Sequence, residues 1–185
     1  PIKGVGEVAG YLTKEYADLL HLNEGTPIGV GIIDAHASMI GSGISKPGDM
    51  MIIVGTSSCH MLLSEKEVGI EGVCGLVKDG IIPGYFAYEA GQCCVGDHFD
   101  WFVKNCVPLN YKLDAQSLNM DLHTYLCHKL KDYKVGSSGL LALDWFNGVR
   151  SPLMDFDLNG MIIGLNLQSK PEEIYLSLIE ATAFG

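Results

Sequence analysis

Apolar residues recur along this chain at two different spacings, and the alternation between them predicts its elements. Leu12, Tyr16, Leu19 and Leu20 repeat at the interval of one helix face, so a helix is predicted over residues 9–22, ended by Asn23-Glu24-Gly25. Residues 27–33 form a short apolar strand that stops at Asp34, and residues 35–40 can open a second helix. A loop carrying Gly41, Gly43, Pro47 and Gly48 follows and is the candidate domain boundary. Met50–Val54 and residues 59–63 are two apolar runs around Gly55-Thr56-Ser57-Ser58, the pattern of a β-hairpin. Residues 73–78 and 81–89 read as further strands, punctuated by Asp79-Gly80 and Pro83-Gly84. Helical spacing returns at Val95, Phe99, Phe102 and Cys106, and again at Leu118, Leu122, Tyr125 and Leu130. Residues 140–145 are another strand. Ser169-Lys170-Pro171-Glu172 has the form of a capping box, with Ser169 receiving the amide of Glu172, at the head of a helix through Ile174, Leu178 and Ala181. Strands alternating with helices make the class α/β.

Composition narrows what such a fold can serve. The 185 residues are 48% hydrophobic and 18% charged, enough apolar material to bury a core and too little charge for a disordered chain. Lys and Arg number 12 against 22 Asp and Glu, a formal net charge of -10. So acidic a surface repels phosphate backbones and anionic lipid heads, so neither nucleic acid nor a membrane is an expected partner. No apolar run reaches the length of a bilayer span, and no basic-then-apolar leader opens the sequence. The six cysteines show no CxxC pair and are expected to be reduced, mostly buried thiols of a cytoplasmic protein. The chain opens on Pro1 and closes in mid-pattern at Phe184-Gly185, and is expected to be a piece of a longer protein that carries part of a site.

Three places carry candidate chemistry. Asp34 is a carboxylate just past a buried strand and ahead of small residues, where α/β sheets open their ligand crevices. The same position suits an N-cap for the next helix, and position alone does not choose. Gly55-Thr56-Ser57-Ser58 offers amides and hydroxyls that can form a nest for phosphate, although a hairpin turn calls for Gly and Ser in any case. Glu89 ends the apolar run Tyr85-Phe86-Ala87-Tyr88, where a carboxylate is costly unless it is solvated, paired or bound to something polar. Sugar hydroxyls are suitable donors to it; an exposed strand end is the alternative. His36 can orient a ligand or serve the structure, and Tyr85, Phe86 and Tyr88 can stack on a ligand or pack a core. The adjacent pairs Cys59-His60, Cys93-Cys94 and Cys127-His128 point in diverging directions and lack zinc spacing, so no metal site is expected.

Taken together, several motifs resemble one family. Gly160-Met161-Ile162-Ile163-Gly164-Leu165, followed after a short spacer by Glu173-Ile174 and Ser177-Leu178-Ile179-Glu180, resembles the second signature of the FGGY carbohydrate kinases. Gly148-Val149-Arg150-Ser151-Pro152 is similar to a Gly-x-Arg-Ser/Thr-Pro segment of the same kinases. Ile32-Ile33-Asp34-Ala35-His36-Ala37, the segment from Gly55 to Met61 and the run from Lys78 to Gln92 look most like the L-ribulokinase branch. The resemblance spans the whole chain. It implies the ribonuclease-H-like, actin-type fold in two domains closing on a cleft, with residues 1–45 ending the first domain and 46–185 beginning the second. It implies that Asp34 is the catalytic base and touches the sugar, that Glu89 binds the sugar, and that Gly55, Thr56 and Ser57 form the second phosphate loop facing the β- and γ-phosphates. The implied reaction is ATP- and Mg2+-dependent phosphorylation of L-ribulose to L-ribulose 5-phosphate in L-arabinose catabolism. Its small-molecule partners are the sugar and ATP, with a homodimer among the assemblies open to it. The family's N-terminal phosphate loop, its Gly-rich adenosine motif, and a Lys and a Trp on the sugar fall outside these residues, so the segment alone is expected to be inactive. A xylulokinase-like kinase, disfavoured by Asp34-Ala35 where many relatives have Asp-Asn, and a non-catalytic sugar-binding regulator are the alternatives.

Overall fold

In the computed structural model, which describes residues 3–185, the first stretch departs from its periodicity. Residues 9–22 do not form one helix. Strand β1 (Val8–Tyr11) and the short helix α1 (Lys14–Leu20) share the segment, and β1 pairs antiparallel with β2 (Pro27–Gly29). The register sets Val8 against Gly29 and Tyr11 against Pro27, and Leu12 continues the pairing by donating to the Thr26 carbonyl at 2.9 Å. Backbone groups that find a ladder partner outweigh a local helical pattern whose apolar face has nothing to bury against: Tyr16 is 55% and Leu19 70% exposed. Strand β2 is likewise shorter than the apolar run 27–33 suggests.

Helix α2 (Asp34–Gly41) follows, then the predicted hairpin, β3 (Met50–Val54) and β4 (Ser58–Ser64). With β5 (Gly75–Lys78) and β6 (Phe86–Ala90) these make a four-stranded sheet ordered β3-β4-β6-β5. Strand β6 is antiparallel to both neighbours, pairing Leu62 with Tyr88 on one side and Leu76 with Tyr88 on the other. Period-two alternation turns Met61 and Leu63 inward, where they pack with Met39, Ile81 and Ala87.

Along the chain after β6 come α3 (Gly96–Asn105), α4 (Leu109–Ser117), α5 (Leu122–Lys129), β7 (Leu141–Leu143), β8 (Met161–Ile163) and α6 (Pro171–Phe184). Phe102, Val103, Val107, Leu126, Tyr175 and Leu178 form their core. Helix α4 has no counterpart in the sequence pattern because it buries only Ala115 while Leu109 and Leu113 face solvent. Strand β8, also unforeseen, is three residues long and pairs antiparallel with β7. The cap of α6 sits one residue later than expected. The Ser169 hydroxyl accepts the amide of Asn166, so Lys170 takes the N-cap position and the Glu173 carboxylate accepts its amide at 2.8 Å.

The residues divide into two compact units, one running to Ile53 and including Cys59–Ala90, the other Val54–Ser58 with Gly91–Gly185. None of the six cysteines is in a disulfide, but only Cys94 is buried; Cys106 and Cys127 are exposed. Among the described residues no helix is long and apolar enough to cross a membrane.

Candidate active site

The unit holding Asp34 presents two carboxylates on neighbouring elements. Ile33 is extended and supplies no capping side chain, so Asp34 becomes the first helical residue of α2. Its Oδ1 accepts the amide of Ala35 at 2.8 Å, and its carbonyl accepts the Ser38 hydroxyl. A negative group in a helix's first turn is favoured by the unpaired amides and the helix dipole there. The side chain therefore does part of a cap's work from one position inside the helix. It is exposed, and among the described residues no protein group pairs with Oδ2.

Glu89 is not at an exposed strand end. It stands in β6 opposite Met61 on β4 and Gly75 on β5, half-buried, with its backbone carbonyl accepting the amide of Cys74 at 3.0 Å. His36, from α2, places Nε2 3.3 Å from Glu89 Oε2, and Cys59 Sγ lies 4.0 Å from Oε1. Gly75 keeps room beside the carboxylate: a Cβ there would stand 3.3 Å from that of Glu89. His36, Gly75, Val77, Tyr88 and Glu89 line a cavity of about 230 Å³ whose other walls are largely apolar. An imidazole and a carboxylate over apolar walls suit a small ligand with hydroxyls on one edge and C–H groups on the other. Tyr88 is buried and its hydroxyl is occupied by the backbone of Lys66 and Val68, so it packs and anchors a loop.

The turn Gly55-Thr56-Ser57 belongs to the other unit and is held through its backbone. Gly55 donates to the Ser57 carbonyl at 2.9 Å, while the carbonyls of Gly55 and Thr56 accept the amides of Gly96 and Val95 at the start of α3. That approach leaves no space for a side chain at Gly96, whose Cβ would fall 2.7 Å from the Gly55 oxygen. Among the described residues the amides of Thr56 and Ser57 have no protein acceptor, and with the two hydroxyls they form a donor set suited to an anion.

Beneath the turn lies a buried polar network that sequence reasoning missed. Ser58 and Gln92 exchange two backbone hydrogen bonds, and the Ser58 hydroxyl donates to Gln92 Oε1 at 2.9 Å. Gln92 Nε2 donates to Asp144 Oδ2 at 2.9 Å and to the Thr182 carbonyl at 2.8 Å. Burial pushes the Asp144 carboxyl above the usual carboxylate range, against the pull of the Gln92 amide. One signal was available: Asp144, like Glu89, is a carboxylate inside an apolar run. Nearby, His98 is buried against Thr182 Oγ1, and desolvation lowers its pKa to about 4. Among the described residues no group of three or more His, Cys, Asp or Glu could hold a metal ion.

With this geometry in hand, three comparisons locate the chain among known proteins. The model of the FGGY family of carbohydrate kinases, C-terminal domain, matches residues 50–185. A ribulokinase of Bacillus licheniformis is 51% identical over 184 residues, covering 100% of this chain and 33% of that protein. A ribulokinase of Geobacillus thermodenitrificans is 52% identical over 185 residues, again covering 100% and 33%. The solved xylulose kinase from Rhodospirillum rubrum superposes with a TM-score of 0.76 at 26% identity, over 99% of this chain and 35% of that one. The chain thus spans about a third of the length of the curated relatives it matches. Its architecture is the mixed α/β, ribonuclease-H-like, actin-type fold of these sugar kinases.

Proposed function

The chain belongs to the FGGY family of carbohydrate kinases, and from that premise we propose that it is part of an ATP-dependent kinase converting L-ribulose to L-ribulose 5-phosphate. The observation that carries this reading is the 51% and 52% identity to two ribulokinases, in matches that run along the whole chain and so cover the segments holding Asp34, the Gly55-Thr56-Ser57 turn and Glu89. In this reading residues 1–45 end the family's first domain and residues 46–185 begin its second.

Asp34 is the general base. Its carboxylate faces solvent with one oxygen engaged by Ala35, and it accepts the proton of the sugar's terminal hydroxyl as that oxygen bonds to the γ-phosphorus of ATP and the bond from that phosphorus to the departing ADP breaks. Glu89 receives hydrogen bonds from other sugar hydroxyls, since a carboxylate is an acceptor only. The amides of Thr56 and Ser57 and their hydroxyls meet phosphate oxygens, a task for which their backbone is already held by α3. The nucleotide, when bound, supplies the γ-phosphoryl group, with Mg2+ neutralising its charge. Such transfer asks for placement and charge neutralisation more than covalent help.

Asp34→Asn in the full-length protein tests the assignment. It keeps the side chain's shape and the Ala35 contact but removes the base, and kcat for L-ribulose should fall by about 10²–10⁴-fold. Wild-type turnover in this variant would remove Asp34 from the chemistry, and a higher kcat/KM for D-xylulose than for L-ribulose in the parent would overturn the substrate.

A further inference from the structure

Asp34 opens α2 and His36 follows two residues later, on a different face of the helix. Asp34 stays exposed. His36 turns inward, half-buried, and its Nε2 reaches Glu89 Oε2 at 3.3 Å. Because a carboxylate only accepts, Nε2 is the protonated nitrogen in this contact. The contact joins two elements that are far apart in sequence: the helix that begins with Asp34 and the strand that carries Glu89. Both of its members line the same cavity of about 230 Å³.

A glutamate has several rotatable bonds, and a hydrogen bond to its carboxylate narrows the rotamers among which sugar binding must select. Side-chain exposures of 18% for His36 and 33% for Glu89 leave the pair open to the cavity, whereas a packing histidine would be enclosed. We propose that His36 is a positioning residue: it holds Glu89 in the rotamer that receives the sugar hydroxyls and ties the helix of Asp34 to the strand of Glu89. The inference rests on the sugar-binding role proposed for Glu89.

Steady-state kinetics of the full-length protein, varying L-ribulose and ATP separately, test it in a double-mutant cycle. His36→Ala should raise the KM for L-ribulose about tenfold, the loss expected for one hydrogen bond to a charged group, with the KM for ATP unchanged. His36→Gln, whose amide nitrogen can occupy the place of Nε2, should restore most of that loss. In a Glu89→Ala background His36→Ala should add less than about twofold, because the contact is already gone. An unchanged KM for L-ribulose in His36→Ala, or the same tenfold rise in the Glu89→Ala background, would overturn the proposal. If Glu89→Ala alone leaves that KM unchanged, the sugar-binding role of Glu89 falls, and this inference with it. If Glu89→Ala raises it and His36→Ala does not, only the inference falls. Should His36→Ala fail to fold, His36→Asn, polar but too short to reach Glu89, carries the same expectation against His36→Gln.

Discussion

The two units hold their candidate groups by different means. In one, Asp34, His36 and Glu89 are side chains on a helix and a strand, and the contact that relates them is a side-chain contact. In the other, the Gly55-Thr56-Ser57 turn is fixed by carbonyls that accept amides from the head of α3, over a buried layer of Ser58, Gln92 and Asp144. Both units nevertheless have a buried core: Met39 and Met61 are fully buried in the first, as Leu126 and Leu178 are in the second. A group held by side chains should be tuned by polar substitutions with little loss of stability. One held by backbone contact should instead be sensitive to added volume and to unsatisfied buried polar atoms.

Gly91→Ala should have the largest effect on folding. Its Cβ would stand 2.2 Å from the Ser58 carbonyl oxygen, which is itself bonded to Gln92, so backbone must move. Urea unfolding should show a loss of about 3 kcal/mol, at the upper end for overpacking. A midpoint equal to that of the parent would break the contrast between the units. Gln92→Leu comes next: it removes the side-chain acceptor of the Ser58 hydroxyl and the amide that donates to Asp144 Oδ2 in a buried layer, and should cost about 2 kcal/mol in the same measurement.

His98 provides a smaller, pH-dependent effect. Burial lowers its pKa to about 4, so below the ordinary imidazole range the unfolded chain takes up a proton that the folded chain does not. Stability should therefore be flat above pH ~6.5 and decline as pH falls toward 4, by about 1 kcal/mol near pH 5.5. Asp144, whose carboxyl is raised, works in the opposite sense, so the test is the difference between the parent and His98→Gln. That difference should narrow as pH falls; a constant difference would place the proton elsewhere. Asp34→Asn, for all its expected effect on turnover, should shift the unfolding midpoint least, because Asp34 is exposed and keeps its one local contact.

Legibility in the sequence followed burial. Strand β4 and the helices α3 and α6 were readable because apolar residues at their regular spacing pack inward; in β3 Met51 and Ile53 do so while Met50, Ile52 and Val54 stand exposed. At residues 9–22 the same spacing misled, since Tyr16 and Leu19 are left exposed and the backbone of Val8–Tyr11 found a strand partner instead. Helix α4 was silent for the converse reason, burying almost nothing. For the site, Asp34, the glycine turn and Glu89 could be singled out as polar groups in places where they need a purpose. The residues around the turn, Gly91, Gln92, Gly96 and Asp144, carry no local mark of the partner each one meets.

Local pattern by itself determined the α/β class and most of the elements after residue 34, and it singled out the three polar positions proposed to carry the chemistry. It could do so because hydrophobic period and turn chemistry act over a few residues. Only the tertiary structure decided that His36 meets Glu89 and that Gln92 joins Ser58 to Asp144, since these partners are dozens of positions apart and nothing along the chain encodes a distance between them.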